Sequence, residues 1–200
     1  MHIGVFGGSF DPPHNGHLAL LLFARELLDI DRIIISVSNN PFKQNHSVAD
    51  LYRARMAELL AQEINETGFC CEASCWELQK RQPSYTVDLM RHIKDSYPCD
   101  KLTLLIGEDN FTEFPFWKEP DTLVALCNIV VFRRVLIDGK RQRADEKAVA
   151  RFITYHYPLS STDVRALAAS GKSLLRFVPP SIHRYIADQD LYRYRDSPLH

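Results

Sequence analysis

Two histidines three residues apart, His14 and His17, stand in the stretch VFGGSFDPPHNGH, between a short apolar run and a long one. Three apart on a first helical turn, they can face the same way. Imidazole nitrogens there can donate to phosphate oxygens. Gly7 and Gly8 permit close backbone approach, and Gly16 leaves room for a ligand where a helix begins. Asp11 and the pair Pro12–Pro13 stiffen the turn between them. A helix start also presents free N–H groups and the positive end of its dipole, which suits an anion. Phosphate binding is the chemistry these residue types support together.

A second such place is LSSTDVR, residues 159 to 165. Ser160, Ser161 and Thr162 open a helix with hydroxyls and backbone N–H groups, and Arg165 adds a forked donor. Three further stretches follow strand-like runs: NNPFK at 39 to 43, QPSYTVDLM at 82 to 90 and LIGEDNFTEFPFW at 105 to 117. Read alone, Ser84, Tyr85 and Thr86 are a capping stretch before a helix. Trp117, near Phe114 and Phe116, reads alone as core or as a flat surface for a flat heterocycle. No residue stands out as an obligatory nucleophile.

The elements that must carry these residues alternate strand-like and helix-like. Ile3 to Phe6, Arg32 to Val37, Phe69 to Cys75, Leu102 to Ile106 and Asn128 to Phe132 read as strands. Leu18 to Leu28, Val48 to Ile64 and Thr86 to Tyr97 read as helices, the second with Leu51, Met56, Leu59, Leu60 and Ile64 near one stripe. Near-continuous apolar strands between helices predict an α/β fold: a doubly wound, Rossmann-like parallel sheet covered on both faces. Such sheets bind ligands at the carboxyl ends of their strands, where the stretches that follow strand-like runs lie. A small C-terminal helical part is expected over 159–187, with helices at Thr162 to Ser170 and Ser181 to Ala187, and DLYRYRDSPLH as a surface tail. Gly139 to Asp145 is the most loop-like stretch. One domain over 1–200 accounts for the length.

Composition excludes several function classes. The net charge of −1 gives no field for a nucleic acid polymer or an anionic membrane, so anion binding has to be local. The longest apolar stretch, Leu18 to Phe23, is far too short for a bilayer. Met1 leads straight into IGVF with no signal peptide visible, and five cysteines are an odd count, so a reduced cytoplasmic protein is expected. Cys70, Cys71 and Cys75 lack a nearby fourth ligand, so no metal site is assigned there.

GGSFDPPHNGH resembles the (H/T)xGH signature of the nucleotidylyltransferase superfamily, which is similar to the HIGH motif of class I aminoacyl-tRNA synthetases. From Gly4 to about Ile186 the chain resembles bacterial nicotinate-nucleotide adenylyltransferases. The resemblance implies transfer of the adenylyl group of ATP to nicotinate mononucleotide, giving deamido-NAD and pyrophosphate. It implies His14, His17, Lys43 and Arg165 as the groups that neutralise phosphate charge. Lys43 matches the basic residue of the family's P-x-H-K, although Phe42 stands where the family often has His. ATP would lie along Gly7, Gly8, Ser9, Phe10, Gly16, Gly107, Asp109, Ser160, Ser161 and Thr162, since LSSTDVR resembles the family's ISSTxIR. Nicotinate mononucleotide would lie against Ser84, Tyr85, Thr86 and Trp117, with Arg133 and Arg134 as a basic spot after the fifth strand. Mg²⁺ is implied on the substrate phosphates, without a dedicated protein cage. The oligomeric state stays open, a homo-oligomer included. Two rivals remain at this point: another transferase of the superfamily, for pantetheine phosphate or a cytidylyl group, and a non-catalytic nucleotide-binding module.

Overall fold

In the computed structural model, residues 1–39, 46–80, 82–133, 149–155 and 157–193 are described. The chain runs β1 (His2–Gly8), α1 (Asn15–Leu28), β2 (Arg32–Val37), α2 (Asp50–Asn65), β3 (Cys70–Ser74), α3 (Thr86–Ser96) and β4 (Lys101–Gly107). It continues through α4 (Glu108–Thr112), a 3-10 turn at Phe114–Phe116, α5 (Pro120–Leu126), β5 (Asn128–Arg133), β6 (Ala150–Thr154), α6 (Ser161–Ala169) and α7 (Pro180–Asp188).

The six strands form one sheet in the order β3-β2-β1-β4-β5-β6, and every pairing is parallel. This is the expected doubly wound α/β architecture. The chain winds outward from β1 to β3, then crosses back to β4 on the other side of β1. The order therefore reverses between β1 and β4, and a crevice opens above their carboxyl ends.

Alternation along the strands feeds two cores. Phe6, Ile33, Ile35 and Leu105 face one side, where they pack with Leu21 of α1, Met56 and Leu60 of α2, Val164 of α6 and Ile182 of α7. Val5, Ile34, Leu104 and Ile106 face the other side, against Val87, Met90 and Ile93 of α3 and Leu123 of α5. No helix among the described residues is long and apolar enough to cross a membrane.

Several expectations shift. Helix α1 begins at Asn15, not Leu18, so Gly16 and His17 lie inside its first turn. Leu51 is exposed, and the buried face of α2 carries Arg53 instead. Strand β6 was not expected: it is short and sits at the sheet edge. The presumed surface tail is anchored at its start, with Leu191 in the first core. Gly139 to Asp145 lies outside the described residues. In β3, Cys70 is exposed and Cys71 buried, as neighbours on a strand must point to opposite faces.

Candidate active site

The loop from Gly8 to His14 leaves β1 at the switch point and enters α1 through a cap built from two imidazoles. His14 is the N-cap, and its Nδ1 accepts from the Gly16 N–H at 3.1 Å. His17 Nδ1 accepts from the His14 N–H at 3.1 Å. The two rings stack with centroids 3.8 Å apart. A ring nitrogen that accepts carries no proton, so each neutral imidazole holds its proton on Nε2. The N–H of each neutral ring is thus the one at Nε2. A Cβ at Gly16 would stand 2.9 Å from the His14 ring and 3.1 Å from Tyr157. The space that Gly16 leaves is filled by these rings.

Helix α6 docks onto the same loop. Ser161 Oγ donates to the Pro12 carbonyl at 2.8 Å, and Arg165 Nη1 to the Asp11 carbonyl at 2.7 Å. Arg165 Nη2 also donates to Thr162 Oγ1 at 3.1 Å. Ser160 caps α6 in a reciprocal pair with Asp163. Ser161 and Arg165 therefore reach the crevice, while Ser160 and Thr162 hold the helix start and the guanidinium.

Two cavities open over the sheet and share Gly7, Gly8, Ser9 and Asn110. The second, about 480 Å³, is walled by Phe10, His14, Gly16, His17, Gly107, Asp109, Ser161 and Arg165. The first, about 420 Å³, is walled by Ser84, Tyr85, Thr86, Phe116, Trp117 and Lys118. Of the residues expected for ATP, Phe10, Gly16, Gly107, Asp109 and Ser161 line the second cavity alone, Gly7, Gly8 and Ser9 line both, and Ser160 and Thr162 line neither; Ser84, Tyr85, Thr86 and Trp117, expected for the mononucleotide, line the first. Tyr85 is the N-cap of α3, and among the described residues no side-chain cap bond is made there. Trp117 leans on Phe114 with centroids 5.5 Å apart. Arg133 is engaged elsewhere, paired with Glu108 at 3.1 Å and lying 4.0 Å over the Phe152 ring. Lys43 and Arg134 lie outside the described residues.

Sequence reading missed four groups here. Arg53, 1% exposed, donates to the Ser9 carbonyl at 2.8 Å and the Ser38 carbonyl at 3.2 Å, tying the exits of β1 and β2 together. Glu77, also buried, accepts from Ser36 and Ser84. Both look like ordinary surface charges in the sequence, and nothing local marks them. His46 lines the second cavity, and burial, followed by the Arg53 charge, lowers its pKa below the usual imidazole value. Tyr155 lines it too, its phenol pushed up to about 12 by burial, then by Tyr157. Its buried hydroxyl has no hydrogen-bond partner among the described residues.

A family model described as cytidylyltransferase-like matches residues 5–167. A protein of Pelodictyon phaeoclathratiforme named "Probable nicotinate-nucleotide adenylyltransferase" is 56% identical over 196 residues, 96% of this chain and 92% of the relative. One of the same name from Chlorobium phaeobacteroides is 53% identical over 96% of this chain and all of its own length. In fold, the chain is similar to the Plasmodium falciparum nicotinic acid mononucleotide adenylyltransferase solved with APC and with NaAD. The TM-score is 0.72 at 19% identity in both cases, over 96% of this chain and 96% and 97% of those chains. The chain belongs to the nicotinate-nucleotide adenylyltransferases, within the cytidylyltransferase-like family.

Proposed function

We propose that this chain joins ATP and nicotinate mononucleotide into nicotinate adenine dinucleotide, releasing pyrophosphate, as a cytoplasmic step of NAD biosynthesis. The observation that carries this reading is the pair of adjacent cavities meeting at Gly7, Gly8, Ser9 and Asn110. One is lined by phosphate-binding chemistry, the other by an uncapped helix start and an indole.

The reaction needs no protein nucleophile. A phosphate oxygen of the mononucleotide attacks the α-phosphorus of ATP, and the bond to the β-phosphate oxygen breaks. The pair of electrons leaves with pyrophosphate. The protein supplies alignment and charge stabilisation. Alignment of two bound reactants is worth on the order of 7–11 kcal/mol at best. The Nε2–H donors of His14 and His17 serve phosphate oxygens where negative charge develops. Arg165 has five N–H donors, and its two bonds to Asp11 and Thr162 aim the fork while leaving others for phosphate. Lys43 adds a cation in this reading. Ser9, Phe10, Gly107 and Asp109 shape the ATP half, and the N–H groups of Tyr85 and Thr86 receive the nicotinate carboxylate.

No group of three or more His, Cys, Asp or Glu able to hold a metal stands together among the described residues. In this reading Mg²⁺ is delivered on the triphosphate and held largely by phosphate oxygens and water, and Asp109, in the wall of the second cavity, is the carboxylate that would help to hold it. Bound there, the ion would neutralise triphosphate charge.

The test is pyrophosphate release from ATP with each candidate acceptor in turn. Nicotinate mononucleotide should support turnover, and pantetheine phosphate should not. Turnover only with another acceptor, or none with any, would overturn the reading.

A further inference from the structure

Glu77 lies in the turn after β3, 5% exposed, in the wall of the first cavity. Both of its carboxylate oxygens are used. Oε1 accepts from Ser36 Oγ at 2.7 Å and Oε2 from Ser84 Oγ at 2.6 Å. A carboxylate has no proton to give, so both hydroxyls donate, and distances this short are those of charge-assisted bonds. Ser36 is fully buried near the end of β2, and Ser84 is buried in the turn that opens α3. The same joint has a backbone layer. Ser84 N–H donates to the Asn39 carbonyl at 3.3 Å, and Asn39 Nδ2 reaches the Glu77 carbonyl at 3.4 Å.

We infer that Glu77 is a positioning residue for the pyridine-nucleotide half of the site: it staples the Ser84–Thr86 turn to β2, and Ser84 acts as its strut. The inference rests on the reading of the first cavity as the mononucleotide side. A hydroxyl has one proton, and that of Ser84 goes to Glu77. Its backbone N–H goes to Asn39. Ser84 therefore has no donor left for a substrate anion. The donors that remain in the turn belong to Tyr85 and Thr86, and their direction is fixed by where the staple holds Ser84. A buried carboxylate is costly unless its hydrogen bonds are made, so a Glu77 without Ser36 and Ser84 would not rest in this place.

The experiment is steady-state kinetics on Glu77→Ala, Glu77→Gln, Ser84→Ala and the double variant Glu77→Ala/Ser84→Ala, each with its thermal midpoint. Glu77→Ala should raise the KM for nicotinate mononucleotide at least tenfold and change the KM for ATP less than twofold. Glu77→Gln, which still fills the space and can still bond both serines, should recover most of that loss. Ser84→Ala removes only one end of the staple and keeps the test open should Glu77→Ala not fold. Adding Ser84→Ala to Glu77→Ala should raise the KM by no more than twofold further. A full additional loss in the double variant would mean that Ser84 touches the substrate, and would overturn the inference. So would an unchanged KM for the mononucleotide in both Glu77→Ala and Ser84→Ala while the wild type turns over. A rise in the KM for ATP instead would reassign the cavity, and with it the staple. Absence of turnover in the wild type would overturn the functional reading itself.

Discussion

The Tyr192 hydroxyl donates to Asp11 Oδ1 at 2.8 Å, joining the last described residues to the loop that precedes His14. Asp11 is a hub. Its Oδ2 accepts from the Ser47 N–H at 2.7 Å and its carbonyl from Arg165 at 2.7 Å. Three separate segments thereby hold one loop. Burial, then the neighbouring Asp11 charge, pushes the Tyr192 phenol well above the usual tyrosine value of 10.0.

Tyr192→Phe keeps the ring and removes the donor. Leaving a buried carboxylate oxygen short of a partner costs about 1–3 kcal/mol. At about 2–4 °C per kcal/mol for a chain of this size, the thermal midpoint should fall by roughly 2–12 °C. The sign on pH follows from the raised phenol. Below pH 10.0 both folded and unfolded chains keep the proton, and the contribution is complete. Above it the unfolded chain releases a proton that folded Tyr192 retains, so stability is lost as pH rises. Thermal midpoints of wild type and variant from pH 7 to 11 check both points. The gap between them should narrow at the alkaline end, and a constant gap would mean that the hydroxyl proton is not what matters.

The parts legible in the sequence were those whose signal is local. Glycine, proline and histidine crowd into residues 7 to 17, and that string alone marks a strand handing over to a helix. Apolar β-branched runs such as RIIISV mark strands buried on both faces. What stayed hidden depends on partners far along the chain. Arg53 and Glu77 look like surface charges until the fold brings carbonyls and hydroxyls to them. Tyr192 looks like a tail residue because Asp11 lies at the opposite end of the chain. Strand β6 hides because an edge strand of five residues with exposed Arg151 and Thr154 carries little apolar pattern.

His17→Ala removes an Nε2 donor, the Nδ1 acceptor for the His14 N–H and the ring stacked on His14. The lost cap bond costs about 0.5–2 kcal/mol and leaves the fold intact. The lost donor weakens charge stabilisation at the reacting phosphate, where one such donor is worth about 10²–10³ in kcat. Turnover should therefore fall by about two orders of magnitude or more, with a thermal midpoint shift of a few degrees. Near-normal turnover in a folded variant would remove His17 from the phosphate contacts.

Arg165→Lys keeps the charge and loses the fork. In the native chain one guanidinium nitrogen holds the Asp11 carbonyl and the other Thr162 Oγ1. An ammonium group at the end of a flexible stem cannot span both and still face phosphate. The KM for ATP should rise and kcat fall, while the KM for nicotinate mononucleotide changes little. Steady-state kinetics with each substrate varied separately decide it. An effect confined to the mononucleotide would place Arg165 on the other half of the cleft.

The substrate preference follows from the start of α3. Nicotinate mononucleotide should be used at least tenfold better than nicotinamide mononucleotide in kcat/KM. Stacking on Trp117 cannot supply that preference, because both rings are flat and aromatic. The difference lies in what faces the substituent. Tyr85 is an N-cap with no side-chain cap bond, so N–H groups of the first turn are left for a ligand. Such donors favour a carboxylate through charge-assisted bonds of about 1.5–3 kcal/mol each. An amide offers only one acceptor, and its NH₂ sets a donor against a donor, at a further cost of about 1–3 kcal/mol. One mismatch already approaches or exceeds the ~1.4 kcal/mol that a tenfold ratio requires. Lys118, in the same cavity wall, is paired with Asp88 at 3.0 Å, so its charge is compensated and the first-turn N–H groups carry the preference. Competition between the two mononucleotides at equal concentration measures the ratio directly. Equal use of both would remove the N–H groups of this turn as carboxylate readers, and would leave adenylyl transfer itself untouched.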